Sequence, residues 1–192
     1  MTVREFDDGY YYAADLKKFA RQLGIPTGTH RKIELEQLIR QRLTTGRVPD
    51  ISVVPTRTPH ELRDRLAPEA IVTNYVDDNA TKTFLRDCVH ADSPGLGDKS
   101  GQWYWLNDWR RKQQEAQIHF SYAELAARLR ELMQHEGRLP QIPSARMNNF
   151  FTDYRADPAN PPATREKLLQ EWNWLKNHPG PKTYEEYRLH RK

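Results

Sequence analysis

The chain has 192 residues, 37% hydrophobic and 29% charged, with a formal net charge of +4 and one cysteine. That length holds one medium domain or two small ones, and the single Cys88 excludes an intramolecular disulfide framework and any cysteine-rich zinc site, which fits a reducing compartment. No apolar run approaches the roughly 20 residues that a membrane span needs, and MTVREFDDGYYY lacks the apolar stretch of a secretory signal, so a cytoplasmic protein with no membrane partner is expected.

In chain order, Tyr10, Tyr11 and Tyr12 come first, and at least one of their rings is expected to cover a helical seam just behind them. Leu16, Phe19, Ala20 and Leu23 recur at i, i+3, i+4 and i+7 and predict a short helix stopped by Gly24 and Pro26. Leu35, Leu38, Ile39 and Leu43 predict a second amphipathic helix packed on the first, with Glu36 and Arg40 paired on its outer face. TTGRVPDISVVPTRTP is rich in proline and reads as a linker with at most one short strand in ISVV. HELRDRL and ATKTFLRDCV then read as short helices flanking an extended AIVTNYV, and DSPGLGDKSG as a loop.

SYAELAARLRELMQHEG is the clearest helix. Ser121 and Glu124 have capping-box spacing, Leu125, Leu129, Leu132 and Met133 form its buried stripe, and Gly137 with Pro140 stops it. RMNNFFTDYR and TREKLLQEWNWLKN complete the helical set, separated by Pro158, Pro161 and Pro162. A weak duplication runs through this half: FLRD, WYWL and SYAE recur in the same order as FFTD, WNWL and TYEE, with different spacing. It would put two indoles at each helix start and make two related lobes, 81–137 and 143–190, with chance likeness as the alternative.

The net charge is concentrated. Between Asp15 and Arg47 stand eight cations (Lys17, Lys18, Arg21, Arg31, Lys32, Arg40, Arg42, Arg47) against Asp15, Glu34 and Glu36, which is +5 and leaves −1 for the remainder. A surplus confined to one short unit points to an anionic partner for that unit. Lys17, Lys18 and Arg21 lie on the side of the first helix away from its apolar stripe, where they can meet successive phosphates. Gly28 permits close backbone approach, Thr29 or His30 sits near the cap of the second helix, and Arg31 and Lys32 flank amides that attract a phosphate. The alternative is a solvated basic face on a two-helix prop.

The same stretch resembles the SAP family, small helix, extended loop, helix modules that bind DNA and in some cases RNA. The likeness rests on DLKKFARQLGIP, Gly28-Thr29 and KIEL at Lys32 to Leu35, and covers about Tyr11 to Leu43. His30 and Arg31 stand between Gly28-Thr29 and Lys32, where the family's spacing is shorter; Lys32 and Leu35 match it best. The tail, with Phe150, Trp172, Leu175, Lys176, Pro179, Gly180 and Tyr184, resembles the C-terminal segment of bacterial SAP-containing proteins of unknown function, and this likeness implies no activity.

Other chemistry finds less support in the residues. Trp103, Trp105 and Trp109 beside Arg110, Arg111 and Lys112 could form a stacking platform for single strands, although indoles at this spacing read first as core. Cys88, His90 and Asp92 diverge on a helix and carry no nucleophile signature. The histidines are scattered, without paired metal-ligand spacing, so no metal site or cofactor is expected. Asp77, Asp78 and Asp87 are the carboxylates a metal-dependent nuclease could use. The expectation is therefore a mainly α protein with a SAP-like module at 1–47, a linker at 48–59 and a helical domain at 60–192 with room for a small β hairpin. It binds DNA, or RNA, without catalysis. An adaptor whose helical domain grips a protein partner is the second reading, and a nuclease the third.

Overall fold

A computed structural model describes residues 1–28, 30–48 and 62–191. It is mainly α. Among the described residues the helices are, in order, α1 (Val3–Asp8), α2 (Ala13–Gln22), α3 (Lys32–Thr45), α4 (Asn79–Asp92), α5 (Gln102–Glu115), α6 (Tyr122–Gln134), α7 (Arg146–Ala156), α8 (Arg165–Asn177) and α9 (Tyr184–His190). The chain divides into two compact units: one joins Met1–Ile51 with Gln141–Lys192, and the other is Ser52–Pro140. The sequence reading instead grouped the tail with 60–140. The difference comes from contacts between distant stretches of chain: Arg146 Nη1 donates to the carbonyl oxygens of Gly9 (2.7 Å) and Asp7 (3.3 Å), and the Tyr10 ring meets Trp172 edge-on at 4.9 Å.

In the first unit, α2 and α3 pack around Leu16, Ala20, Ile25, Leu35 and Ile39, all essentially buried. The Gly-Ile-Pro stop works as its chemistry predicts. Gly24 takes φ +76°, its N–H donates to Arg21 O, and Ile25 N–H reaches back to Ala20 O at 2.9 Å, the paired bonds of a Schellman ending. Those bonds also swing Ile25 into the core. Sequence periodicity missed α1, which is set by a capping box between Thr2 and Glu5 (Thr2 N to Glu5 Oε2, 2.7 Å; Glu5 N to Thr2 Oγ1, 3.2 Å) and buries Phe6. Tyr11 stacks on Phe6 at 5.0 Å, so the expected tyrosine cover is present. The Glu36–Arg40 pair is not formed: Arg40 Nε binds Asp7 Oδ1 at 2.5 Å, and buried Glu36 faces Lys32.

In the tail part of this unit, α7, α8 and α9 enclose Phe150, Phe151, Tyr154, Leu168, Trp172, Leu175 and Tyr187. Asn160 fixes the turn after α7 by donating to Tyr154 O (2.8 Å) and to the Tyr184 hydroxyl (2.6 Å), which in turn donates to Asp157. The indoles Trp172 and Trp174 lie in the C-terminal half of α8 rather than at its start, unlike Trp103 and Trp105 in the first turn of α5.

In the second unit, α6 packs against α4 and α5 through Leu85, Val89, Leu106, Leu125 and Leu129. Ser121 closes the expected capping box with Glu124. Among the described residues the possible hairpin reduces to one antiparallel bridge, Ile71 with Ser121, where Val72 N donates to Phe120 O and Tyr122 N to Ala70 O, each at 2.9 Å. HELRDRL is not helical over its described residues, 62–66. Asp64 is instead committed to the Thr73 and Asn74 amides and to the Tyr122 hydroxyl, while Arg63 reaches Asp78 and Thr81, so the side chains tie this segment to residues 73–74 and to the starts of α4 and α6. Thr29, the ISVV strand and most of the 48–59 linker lie outside the described residues.

Candidate nucleic-acid interface

An α-helix turns about 100° per residue, so Lys17, Arg21 and Lys18 share an arc of about 100° whose middle lies opposite the Leu16, Ala20 and Leu23 stripe. Lys18 and Arg21 are exposed and Lys17 is half-buried. Among the described residues none of the three has a hydrogen bond or an ion pair. The only carboxylate on α2, Asp15, accepts from the Tyr12 amide at the helix start. Three positive charges thus stand on one face without local compensation. Gly28 is exposed with φ +22°, and a Cβ built there meets nothing within 4 Å, so the loop offers open backbone.

The start of α3 is different. Glu34 Oε1 takes Arg31 Nε at 2.7 Å, its Oε2 takes the Arg31 amide at 2.9 Å, and His30 Nδ1 lies 3.7 Å from the same carboxylate. Lys32 Nζ sits 3.9 Å from Glu36 Oε1 and 4.6 Å from the centre of the Tyr10 ring. Burial depresses the Lys32 ammonium pKa, Glu36 opposes that, and Arg146 adds to it. Of the candidate residues, then, Lys17, Lys18, Arg21 and Gly28 present themselves to solvent. His30 and Arg31 face Glu34, which occupies the helix start that a phosphate would otherwise use, and Lys32 faces Glu36. Thr29 lies outside the described residues.

A cavity of about 360 Å³ in the same unit is lined by Asp7, Arg40, Arg146, Asp153, Lys182 and Tyr184, among others. Its cations already have partners: Arg40 has Asp7, Arg146 has the Asp7 and Gly9 carbonyls, and Lys182 Nζ donates to His178 O and Gly180 O. They hold the chain together and leave little charge for a ligand.

The second unit holds the other candidate residues. Trp103, Trp105 and Trp109 pack against its core, Trp109 meets Phe120 at 5.0 Å, and Trp105 Nε1 donates to Pro140 O, so the indoles serve packing rather than a stacking platform. Cys88, His90 and Asp92 go separate ways: His90 Nε2 meets Leu96 O, Asp92 takes Arg130, and burial, followed by Asp87 and Asp92, pushes the thiol pKa up. Asp78 caps α4 through Thr81 N and pairs with Arg63, while Asp77 binds Lys82. A groove of about 360 Å³ runs between α4 and α6 past Cys88, Val89, Ala123, Ala126 and Ala127.

Sequence spacing missed one grouping: His178, Glu186 and His190 converge. The Glu-x-x-x-His spacing of Glu186 and His190 was a visible signal, whereas the approach of His178 depends on the turn before α9. No protein-family model, curated protein or solved structure matches the chain. No described helix is long and apolar enough to cross a membrane.

Proposed function

We propose that the chain is a non-catalytic nucleic-acid binder, with DNA as the first ligand and RNA the variant, that grips phosphates through Lys17, Lys18 and Arg21. The observation that carries this reading is the uncompensated cationic face of α2, one helix turn long and beside the open Gly28 loop. The SAP-like pattern of the surrounding sequence supports it. His30, Arg31 and Lys32 contribute by fixing the loop and α3, with their charge shared with Glu34 and Glu36. Recognition is then phosphate-driven, with shallow sequence preference, because the face offers few side chains that could read base edges, Arg21 and Gln22 among them.

Neutralising about three phosphates gives a slope of log K against log salt of about −2.7 on duplex DNA. Fluorescence anisotropy with a labelled duplex across a salt series reads that slope. Reversing all three charges, Lys17→Glu with Lys18→Glu and Arg21→Glu, abolishes the binding and leaves the far-UV circular dichroism unchanged. Wild-type affinity in that triple variant, or affinity indifferent to salt, refutes the reading. Magnesium-dependent strand cleavage lost in Asp77→Ala with Asp78→Ala would establish the nuclease instead.

The groove between α4 and α6 favours one second reading, a protein-binding adaptor. Partners retained from nuclease-treated lysate support the adaptor, and partners lost with the nucleic acid support the binder.

A further inference from the structure

The last turn and helix of the first unit read HPGPKTYEEYRLH, from His178 to His190. Glu186 and His190 are four apart on α9 and therefore share a face, with Glu186 Oε1 3.2 Å from His190 Nε2. His178 caps the C-terminus of α8, where its ring stacks on Trp174 at 4.6 Å and 17° and lies 4.9 Å from the His190 ring. One donor atom from each of the three residues lies within 4.8 Å of the other two.

Zinc bonds of about 2.0–2.2 Å in a tetrahedron place neighbouring donors about 3.4 Å apart. The Glu186–His190 pair is already close to that spacing, and the His178 donor lies within 4.8 Å of both. The turn is shaped around the carboxylate. Gly180 has φ +93°, and a Cβ there would stand 2.8 Å from Glu186 Oε1, so the carboxylate packs directly on backbone that only glycine leaves open. The nearby cations are engaged elsewhere: Lys182 Nζ with two turn carbonyls, Arg191 with Glu171, and Arg188 with Asp157. Among the described residues, none of these three cations forms an ion pair with the Glu186 carboxylate, whose contact is with His190.

We propose that His178, Glu186 and His190 form a binding site for a divalent transition-metal ion of the zinc type, with one coordination position left to water. Two imidazoles and a carboxylate suit zinc far better than magnesium or calcium, which require more oxygen ligands. The bound ion ties α9 to the end of α8. Without it, Glu186 and His190 remain a side-chain contact within α9. This proposal is independent of phosphate binding by α2.

The test uses the full chain stripped with a chelator. Calorimetry with Zn²⁺ is expected to show one site with a Kd of about 1 μM or tighter, and Co²⁺ to show the visible absorption of tetrahedral coordination. His178→Gln and His190→Gln each weaken Zn²⁺ about tenfold or more. Glu186→Gln, which keeps the size of the side chain and the α9 start, does the same with an unchanged melting temperature for the metal-free protein. Cys88→Ser binds as wild type. Absence of one-to-one binding, binding undiminished in all three ligand variants, or binding lost in Cys88→Ser overturns the proposal.

Discussion

Glu171 is 2% exposed in the tail core, where it accepts from Lys167 Nζ (2.5 Å), from the Tyr187 hydroxyl (3.1 Å) and from Arg191 Nε (3.1 Å). Burial pushes its carboxyl pKa up, yet the hydrogen bonds from Lys167, Arg191 and Tyr187 overcome that and leave it below the usual 4.5. A depressed folded pKa means that the unfolded chain takes up the proton more readily. The stabilisation is thus complete above about pH 4.5 and is lost as pH falls through the lower, folded value. Thermal melts from pH 7 to pH 3 should show that acid limb in the wild type. Glu171→Gln should cost about 1–3 kcal/mol at pH 7, because it leaves buried donors short of an acceptor, and should flatten the limb. Little of this network was legible in the sequence. The Lys167–Glu171 spacing is visible as i, i+4, but Tyr187 and Arg191 arrive from another helix. The cations of α2 were legible because one helix positions all three, whereas the setting of Lys32 was legible only in part: Glu36 is visible four residues on, but the Tyr10 ring and the repelling Arg146 guanidinium come from elsewhere in the chain.

At the scale of elements, local chemistry carried furthest where it closed on itself. Ser121 with Glu124, the Gly24 ending and the stripe of α6 are all contained within a few residues, and they form as their spacing dictates. It failed for HELRDRL, a helix-like string whose Asp64 and Arg63 are claimed by Thr73, Asn74, Tyr122 and Asp78. It also passed over α1, whose six residues are too few for periodicity although the Thr2–Glu5 spacing was there to find. That helix matters more than its length implies. Phe6 is 1% exposed and stacks against Tyr11 and Phe19 at 5.0 and 6.1 Å. Phe6→Ala should cost about 3–5 kcal/mol, measured by urea unfolding. A loss under about 1 kcal/mol would mean that α2 and α3 hold their core without the first helix.

For the whole molecule, the main surprise is connectivity. Ser52–Pro140 lies in sequence between the two segments of the other unit, Met1–Ile51 and Gln141–Lys192. No periodicity could announce this, since the joining bonds run between residues more than 130 positions apart, as from Arg146 to Gly9. A fragment of residues 52–140 contains the whole α4–α6 core and should unfold cooperatively on its own. A fragment of residues 141–192 lacks Tyr10 against Trp172 and the Gly9 carbonyl at Arg146. Its near-UV circular dichroism should be weak and should strengthen when residues 1–51 are added in trans. A full tail signal without that addition would show that the tail is a domain by itself.

This connectivity also gives the nascent chain a timetable. Helices α1 to α3 leave the ribosome first, yet the indole that meets Tyr10 and the guanidinium that meets Gly9 are translated only after the intervening unit is complete. At roughly 5–20 residues per second, the N-terminal segment spends on the order of ten seconds with those positions waiting, its cations accessible to any polyanion in the vicinity.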